Sequence, residues 1–220
     1  MATNIFKSEN KEKKDIAALI SAGIIDLGRG TSQERQIQII EGAIKSYVVD
    51  GIHKVNFGTV AAACGVTRPL VQHYFATPDT LFEAAVKYVR FLFRNAVLDK
   101  VQRAKDPKEE LRLYIQSCFD WIEEQPTHAK FWVLFLFRCG SSRAYRTQNT
   151  ELVKLGQQTI ESILERGKKS GHFSTTKPPV AAKRIQRILT GYLISAGTEE
   201  GEVSAYYKDA WELCSTLASR

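Results

Sequence analysis

Residues 56–75 read NFGTVAAACGVTRPLVQHYF, and this stretch decides the fold of the surrounding chain. It predicts a short helix, a tight turn at Cys64-Gly65, and a second helix that is entered through Thr67 and Pro69. Its apolar residues are spaced so that two steeply crossed helices can bury a common seam. They are Val60, Ala61, Val66, Val71 and Phe75. The stretch therefore predicts a helix-turn-helix.

The second of these helices carries polar side chains that suit the major groove of DNA, which is wide enough to admit a helix. Arg68 and Gln72 have donors that match the edges of guanine and adenine, respectively. Helix amino termini and hydroxyl groups bind phosphate oxygens. His73 is either a groove contact or a packed surface histidine, and Lys54 is either a phosphate contact or a solvated loop charge. The predicted DNA-contacting residues are Lys54, Thr59, Thr67, Arg68, Pro69, Gln72, His73, Tyr74 and Thr77.

The segment from about Arg35 to Val86 resembles the DNA-binding signature of the tetracycline-repressor (TetR) family of bacterial transcriptional regulators. The resemblance rests on VNFGTVAAACGVTRPLVQHYF at 55–75, on a preceding amphipathic helix that ends at Asp50-Gly51, and on ATPDTLFEAAV at 76–86. The segment differs from the family at Pro78, where many family members have a lysine that touches the DNA backbone. The resemblance implies an all-α chain with an N-terminal three-helix helix-turn-helix head and a C-terminal helical domain that binds ligand and dimerises.

The composition agrees with an all-α chain. Across 220 residues proline and glycine are sparse, and no run of alternating β-branched residues indicates a strand. We expect three parts: an N-terminal arm with an extra helix at 1–30, a helix-turn-helix DNA-binding domain at 31–78, and a helical ligand-binding and dimerisation domain at 79–220. The first 14 residues are either a flexible arm or a solvated tail.

Helix start and stop signals place the individual elements. Apolar residues at helical spacing predict the extra helix, ending at Gly28 to Gly30, and they are Ile16, Leu19, Ile20, Ile24 and Leu27. Thr31 with Glu34 predicts a capping box for the next helix, while Asn56 and Thr67 are expected to cap the two short ones. Thr77-Pro78-Asp79 opens a fourth helix that runs to about Lys105. The remaining helices are predicted at 107–124, 127–140, 143–170, 179–197 and 203–219.

The charge and the cysteine content limit which binding partners and which cellular compartment suit the chain. The net charge of +7 suits a nucleic-acid partner, yet residues 31–80 hold four basic and four acidic groups, so the orientation of donors must matter more than the bulk potential. The four cysteines are scattered, which predicts reduced thiols in a cytoplasmic protein without disulfides. No stretch is long and apolar enough to suggest a membrane span.

Catalytic signatures are absent from the sequence. The four histidines have no metal-ligand spacing with one another, and no HExxH, Walker, dinucleotide or GxSxG motif occurs. We therefore expect neither an enzyme nor a bound cofactor or metal. The alternative to a regulator is a helical small-molecule-binding protein whose helix-turn-helix does not bind DNA, which the neutral head and Pro78 keep open.

The C-terminal part holds a dense set of aromatic residues. Core packing explains any one of them, but in the resembled family this region encloses a pocket for an apolar or aromatic small molecule. The predicted pocket residues are Phe93, Tyr114, Cys118, Trp121, Trp132 and Phe135. The window 138–187 is strongly basic, which indicates either a solvated face or an anionic effector such as an acyl-coenzyme or nucleotide.

The last two helices carry small and apolar residues that suit a four-helix interface between two copies, which is how the resembled family dimerises. A dimer can read a palindromic double-stranded DNA operator, since one recognition helix spans only a few base pairs. The expected function is a ligand-responsive homodimeric regulator, a repressor released by a small molecule. Ligand in the body would tilt the fourth helix and change the separation of the two recognition helices.

Overall fold

The computed structural model describes residues 17–21, 23–25 and 30–219, without the side chains of residues 30 and 31. Within these ranges the secondary structure is entirely helical, as the sequence predicts. Besides residues 17–21, the helices are α1 (Gly30–Asp50), α2 (Phe57–Cys64), α3 (Arg68–Tyr74), α4 (Pro78–Val101), α5 (Pro107–Glu124), α6 (Pro126–Ser141), α7 (Arg143–Lys169), α8 (Pro178–Thr198) and α9 (Val203–Ala218). None of these helices is long and apolar enough to cross a membrane.

The chain divides into two compact units, Met1–Leu92 and Phe93–Arg220, here called the head and the body. Helix α4 contributes residues to both. Its end differs from the prediction, since α4 stops at Val101 rather than near Lys105. The segment that joins α4 to α5 ends at Asp106, which is the N-cap of α5. The Asp106 carboxylate accepts the Glu109 N–H at 2.8 Å. This hydrogen bond holds the pKa of the Asp106 carboxyl below its usual value.

The core of the head is built on α1. Ile40, Ala43 and Ile44 of this helix are fully buried, and Tyr47 is nearly so. The Tyr47 ring meets the ring of Phe82 edge to face, with 5.1 Å between centroids and 83° between planes. The Tyr47 hydroxyl also donates to the Pro78 carbonyl at 3.5 Å. These contacts fix the first turns of α4 against α1.

Backbone caps define the turn between α2 and α3. The Asn56 side chain accepts the Gly58 and Thr59 amides at 2.8 and 3.2 Å, which confirms the predicted cap of α2. Gly65 ends α2 with φ 64°, a left-handed conformation that favours glycine. The Val66 N–H then donates to the Ala61 carbonyl at 2.9 Å, closing the helix end. A rigid reversal between α2 and α3 results.

Helices α1 and α2 approach closely at Gly42, where a Cβ would overlap the Cys64 Sγ and lie 3.7 Å from the Cys64 Cβ. We expect Gly42→Ala to lower the free energy of unfolding by about 1 kcal/mol, because overpacking outweighs the gain in helix propensity. In a Cys64→Ala background, Gly42→Ala should raise the free energy of unfolding by about 0.5–1 kcal/mol, since only the gain in helix propensity remains. Urea denaturation of the four variants tests this change of sign, and a loss of stability in both backgrounds would contradict it.

The N-terminal segment differs from the predicted extra helix. Residues 17–21 are helical, but the chain turns at Gly23, which has φ 62°, and the Ile24 N–H donates to the Leu19 carbonyl at 3.0 Å. The extra helix therefore does not reach Gly28, because a left-handed glycine ends it first. Leu19, Ile24 and Ile25 are buried. The arm at 1–14, Ile16, Leu27 and the Thr31 side chain of the predicted capping box lie outside the described residues.

The body is a bundle in which α8 packs against α7 and α9 and also touches α5 and α6. Its largest fully buried side chains are Phe119, Phe131, Phe135, Leu111, Ile115, Ile160 and Ile163. Lys100 at the end of α4 is bound by Asp120 and Glu124 of α5 at 2.9 and 3.0 Å. All five helices from α5 to α9 begin and end within one residue of their predicted bounds.

All four cysteines are free thiols, and three of them, Cys118, Cys139 and Cys214, are buried in the body. Burial raises the pKa of Cys118 and of Cys214 to about 12, compared with a usual 9.0. Because the folded state disfavours these thiolates, the stability that they contribute is present below pH 9 and is lost as the pH rises toward 12.

Thiol labelling should separate these sites. At pH 8 iodoacetamide is expected to modify the half-buried Cys64 at least about 100-fold faster than Cys118 or Cys214, because only the thiolate reacts and burial blocks access. Peptide mass spectrometry over a labelling time course measures the ratio. Equal labelling rates at Cys64 and Cys214 in the folded chain would contradict the burial of Cys214 on α9.

Candidate nucleic-acid interface and effector pocket

Helix α3 is held by one face and exposes the other. Val71 is completely buried and Phe75, just after the helix, is 4% exposed, so these two residues anchor α3 in the head. Arg68, Pro69, Gln72 and His73 are all exposed. Arg68 and Gln72 are four residues apart and therefore lie one turn apart on the same face. Both predicted base-reading side chains are thus available to a ligand in solution.

The start of α3 differs from the predicted cap. Thr67 occupies the capping position, but its side chain makes no capping hydrogen bond. Pro69 has no N–H to donate, and the Leu70 N–H already donates to the Thr67 backbone carbonyl at 3.1 Å. The exposed Thr67 hydroxyl is therefore not engaged by its own helix, which leaves it able to bond a phosphate oxygen.

Tyr74 ends α3 in a partly buried position. Its hydroxyl lies 3.0 Å from the Ser32 Oγ on α1, and its ring stands edge-on to His73 at 5.2 Å. The Ser32 contact links residues 42 apart in the chain and was not predicted, because no local pattern in the sequence reports it. It fixes the last turn of α3 relative to α1, and the hydroxyl can still accept or donate one further bond.

Thr59 and Thr77, two predicted phosphate contacts, differ in the hydrogen bonds that their hydroxyls make within the chain. The Thr59 Oγ1 donates to the Asn56 carbonyl at 2.8 Å and accepts the Asn56 N–H at 2.9 Å, so its hydrogen is used within the cap of α2. The Thr77 Oγ1 accepts the Thr80 N–H at 3.1 Å and keeps its hydrogen for another acceptor. Thr80 completes this second capping box, a role that the sequence reading missed. Thr77 is therefore the better placed donor.

Lys54 lies apart from α3, in the turn that joins α1 to α2. Its N–H donates to the Gly51 carbonyl at 3.2 Å, and its side chain is exposed. Gly51 has φ 84°, so the turn depends on a glycine there. The exposed ammonium is free to move toward a phosphate, but no described contact holds it in one direction.

The six predicted pocket residues all belong to the body. Tyr114, Cys118 and Trp121 share one face of α5 and are buried. Phe93 meets Trp121 edge-on at 5.2 Å between centroids, and Trp132 lies 4.9 Å from Phe135. The set therefore forms two aromatic pairs, one on α4 and α5 and one within α6.

Tyr114 is the polar member of this set. It is 9% exposed, and its hydroxyl has no hydrogen-bond partner among the described residues. Burial raises the pKa of the phenol, so the group stays protonated and can donate. Tyr114 carries the only hydroxyl of the six predicted pocket residues, and this hydroxyl can bond a polar atom of a small molecule.

The basic window 138–187 does not converge on these aromatics. Arg138 lies over the Tyr145 ring at 4.8 Å, Arg146 donates to the Cys139 and Gly140 carbonyls, and Arg166 pairs with Glu110 at 2.6 Å. Lys183, Arg184 and Arg187 are exposed on α8. The positive charges are therefore spread over the body surface.

Comparison with known proteins gives a family match for the helix-turn-helix region. Residues 39–85, which contain α2 and α3, match the family described as "Bacterial regulatory proteins, tetR family". The HTH-type transcriptional regulator BetI of Burkholderia cenocepacia (strain HI2424) is 28% identical over 107 residues, which are 48% of this chain and 55% of that protein. The match thus spans about half the length of this relative. BetI of Proteus mirabilis is 24% identical over 78% of this chain and 84% of its own.

Solved structures share the fold over a longer range. A putative transcriptional regulator from Saccharomonospora viridis in complex with choline has a TM-score of 0.72 at 18% identity, covering 82% of this chain and 95% of its own. FadR from Bacillus subtilis in complex with stearoyl-CoA has a TM-score of 0.69 at 18% identity, covering 82% and 98%. The helix-turn-helix, its flanking helices and the helical body agree with these findings, which together support a tetR-family transcriptional regulator.

Proposed function

We propose that this chain is a ligand-responsive transcriptional repressor that binds a palindromic DNA operator as a homodimer. The observation that carries the proposal is the pair Arg68 and Gln72, exposed one turn apart on a helix whose opposite face is anchored by Val71. A guanidinium and an amide at this spacing can reach two neighbouring base edges in the major groove. The exposed hydroxyls of Thr67 and Thr77 supply phosphate contacts on either side of them.

A second copy is needed for useful specificity. A helix of seven residues reaches only a few base pairs, while two copies related by a two-fold axis read an inverted repeat. Because the charges of residues 31–80 cancel, little non-specific attraction for DNA comes from the described head. Affinity must therefore come from directed contacts that are made twice.

The effector that we propose is an apolar or aromatic small molecule bound among Tyr114, Cys118, Trp121 and the neighbouring rings. The two aromatic pairs supply apolar surface, and the Tyr114 hydroxyl supplies one directed hydrogen bond. An anionic effector is less favoured, because Arg138, Arg146 and Arg166 are engaged by protein groups and the other basic side chains of the window 138–187 are exposed. Helix α4, which has residues in both units, is the element through which ligand would change DNA affinity.

The proposal is tested by selecting bound sequences from random double-stranded DNA. The wild-type chain should enrich an inverted repeat, and Arg68→Ala and Gln72→Ala should each relax the preference at one base pair in both half-sites. Arg103→Ala and Gln102→Ala are matched controls, since both residues are exposed and lie in the body. These controls should select the wild-type repeat.

Two outcomes would contradict the proposal. If the wild-type chain enriches nothing, the helix-turn-helix is a structural element and the chain is a small-molecule-binding protein. If the Arg68 and Gln72 variants select the same repeat as the wild type, α3 does not read the bases. Operator affinity measured with and without choline or stearoyl-CoA, the ligands held by the two structural neighbours, examines the effector separately.

A further inference from the structure

Two side chains of α1 form hydrogen bonds to the helix-turn-helix. The Ser32 Oγ lies 3.0 Å from the hydroxyl of Tyr74, the last residue of α3. The Gln38 Nε2 donates to the carbonyl of Cys64, the last residue of α2, at 3.0 Å. Ser32 and Gln38 are separated by about 9 Å along the axis of α1. Each helix of the motif is therefore held at its carboxyl end by a polar side chain from outside the motif.

The Ser32–Tyr74 pair has one hydrogen to spare. A serine hydroxyl and a phenol each carry one hydrogen and can also accept hydrogen bonds. Neither hydroxyl has a further hydrogen-bond partner in the described part of the chain. One of the two hydrogens lies between the oxygens, and the other is available to an acceptor from outside. If Tyr74 donates to Ser32, the spare hydrogen is on α1, whereas if Ser32 donates to Tyr74, it is on α3.

A DNA phosphate favours one of these two arrangements. Its oxygens only accept hydrogen bonds, and a bond to a charged acceptor is about twice as strong as a bond between neutral groups. Tyr74 lies two positions beyond the exposed Gln72 on α3, and tyrosine hydroxyls are among the groups that contact phosphates. With Ser32 as the donor within the pair, the phenol can donate to a phosphate and accept from Ser32 at the same time. The arrangement with the spare hydrogen on α3 is therefore the one that suits DNA.

The ring contacts of Tyr74 restrict what Ser32 can do. The ring stands edge-on to His73 at 5.2 Å between centroids, and the Phe75 ring lies 6.5 Å away. Both neighbours adjoin Tyr74 in the chain, and Phe75 is 4% exposed. These contacts hold the ring, while the hydroxyl is held by Ser32. Loss of the Ser32 hydroxyl should therefore change the phenol group and leave α3 folded.

We infer that Ser32 is a positioning residue for DNA binding, which holds the Tyr74 hydroxyl so that the phenol hydrogen is directed to a phosphate oxygen. Hydrogen bonds in a chain polarise one another, which strengthens each bond by roughly 10–30%. The contact also restrains the tyrosine side chain before DNA arrives, so less rotational freedom is lost on binding. The inference rests on the proposed operator binding and adds a residue of α1 to the DNA contacts of the head.

Neutral phosphates test this role on the operator that the wild-type chain selects. A methylphosphonate replaces one phosphate at a time, which removes the negative charge and one free oxygen. Fluorescence anisotropy measures the factor by which each replacement raises the dissociation constant. In each half-site, one phosphate, here called the Tyr74 phosphate, should lose most of this factor in Tyr74→Phe. At the Tyr74 phosphate, Ser32→Ala should lower the factor at least about threefold and leave it unchanged at the other phosphates.

Three further variants serve as controls. Ser32→Thr keeps a hydroxyl and should restore the wild-type factor. Gln38→Ala removes the other hydrogen bond from α1 and should leave the factor at the Tyr74 phosphate unchanged. In a Tyr74→Phe background, Ser32→Ala should change the operator affinity by less than about twofold, since both changes act through one hydroxyl. Circular dichroism and urea denaturation check that each variant is folded.

Three results would overturn the inference. The first is an unchanged factor at the Tyr74 phosphate in Ser32→Ala. The second is an equal fall at every phosphate, because a general loss of structure would affect all contacts alike. The third is the same loss of affinity from Ser32→Ala with and without the Tyr74 hydroxyl, since Ser32 would then act independently of Tyr74.

The DNA selection keeps this result separate from the proposed function. Ser32→Ala should select the wild-type repeat, since a phosphate contact carries no base information, and an altered base preference would overturn the inference. A wild-type chain that selects an inverted repeat, together with a Ser32→Ala variant that behaves as wild type, would refute the role of Ser32 and leave the regulator standing. A wild-type chain that selects no DNA would refute both.

Discussion

Replacing Phe82 by alanine is expected to lower the free energy of unfolding by about 3–5 kcal/mol, the largest effect of any single change in the head. The Phe82 side chain is completely buried and packs edge to face against Tyr47 at 5.1 Å. Removing the ring leaves a cavity between α1 and α4 and takes away the partner of the tyrosine that bonds the Pro78 carbonyl. The start of α4 should then lose its attachment to α1.

Phe137→Ala is the matched control for this prediction, because the same residue type is 73% exposed on α6. Its effect on the free energy of unfolding should stay within about 0.5 kcal/mol. Chemical denaturation followed by circular dichroism measures both variants, and hydrogen exchange at the α1 amides locates the change. Equal losses at Phe82 and Phe137 would mean that Phe82 does not form the core of the head.

Arg68→Ala should produce the largest effect on DNA binding. One arginine that contacts a guanine contributes about 1–3 kcal/mol, so a dimer that loses two such contacts should lose about 2–6 kcal/mol of operator affinity. Because Arg68 is exposed, the free energy of unfolding should change by less than about 0.5 kcal/mol. Binding, and not folding, is therefore the property that this variant changes.

Fluorescence anisotropy on the selected operator, at one fixed salt concentration, measures this loss. Arg103→Ala removes an equally exposed arginine from the body and should change the affinity by less than about 0.5 kcal/mol. If both variants weaken binding alike, on operator and on unrelated DNA, Arg68 contributes only charge and the base contact is wrong.

Local signals account for what could be predicted. Asn56, Pro78 and Gly65 each act through hydrogen bonds or backbone angles within a few residues, so the helix bounds that they set were predictable. Thr67 shows where such a signal fails, because the next residue but one is a proline without an amide to cap. The end of the extra helix was missed for a similar reason, since Gly23 interrupts an otherwise periodic apolar run.

Long-range contacts account for the features that could not be predicted from the sequence. The Ser32–Tyr74 hydrogen bond joins residues 42 apart, and no periodicity reports it. In the body, periodicity identifies buried faces but not which aromatic rings meet, because that depends on how the helices cross. The pairs Phe93–Trp121 and Trp132–Phe135 therefore became visible only in the structure.

Methylation interference on the selected operator tests the central claim most directly, namely that α3 enters the major groove twice. Methylation of guanine N7, a major-groove atom, should block binding of the wild-type chain at one symmetry-related guanine in each half-site. Arg68→Ala should lose this sensitivity at those two guanines, while Arg103→Ala keeps it. An interference pattern that Arg68→Ala leaves unchanged, or that lacks two-fold symmetry, would contradict the account.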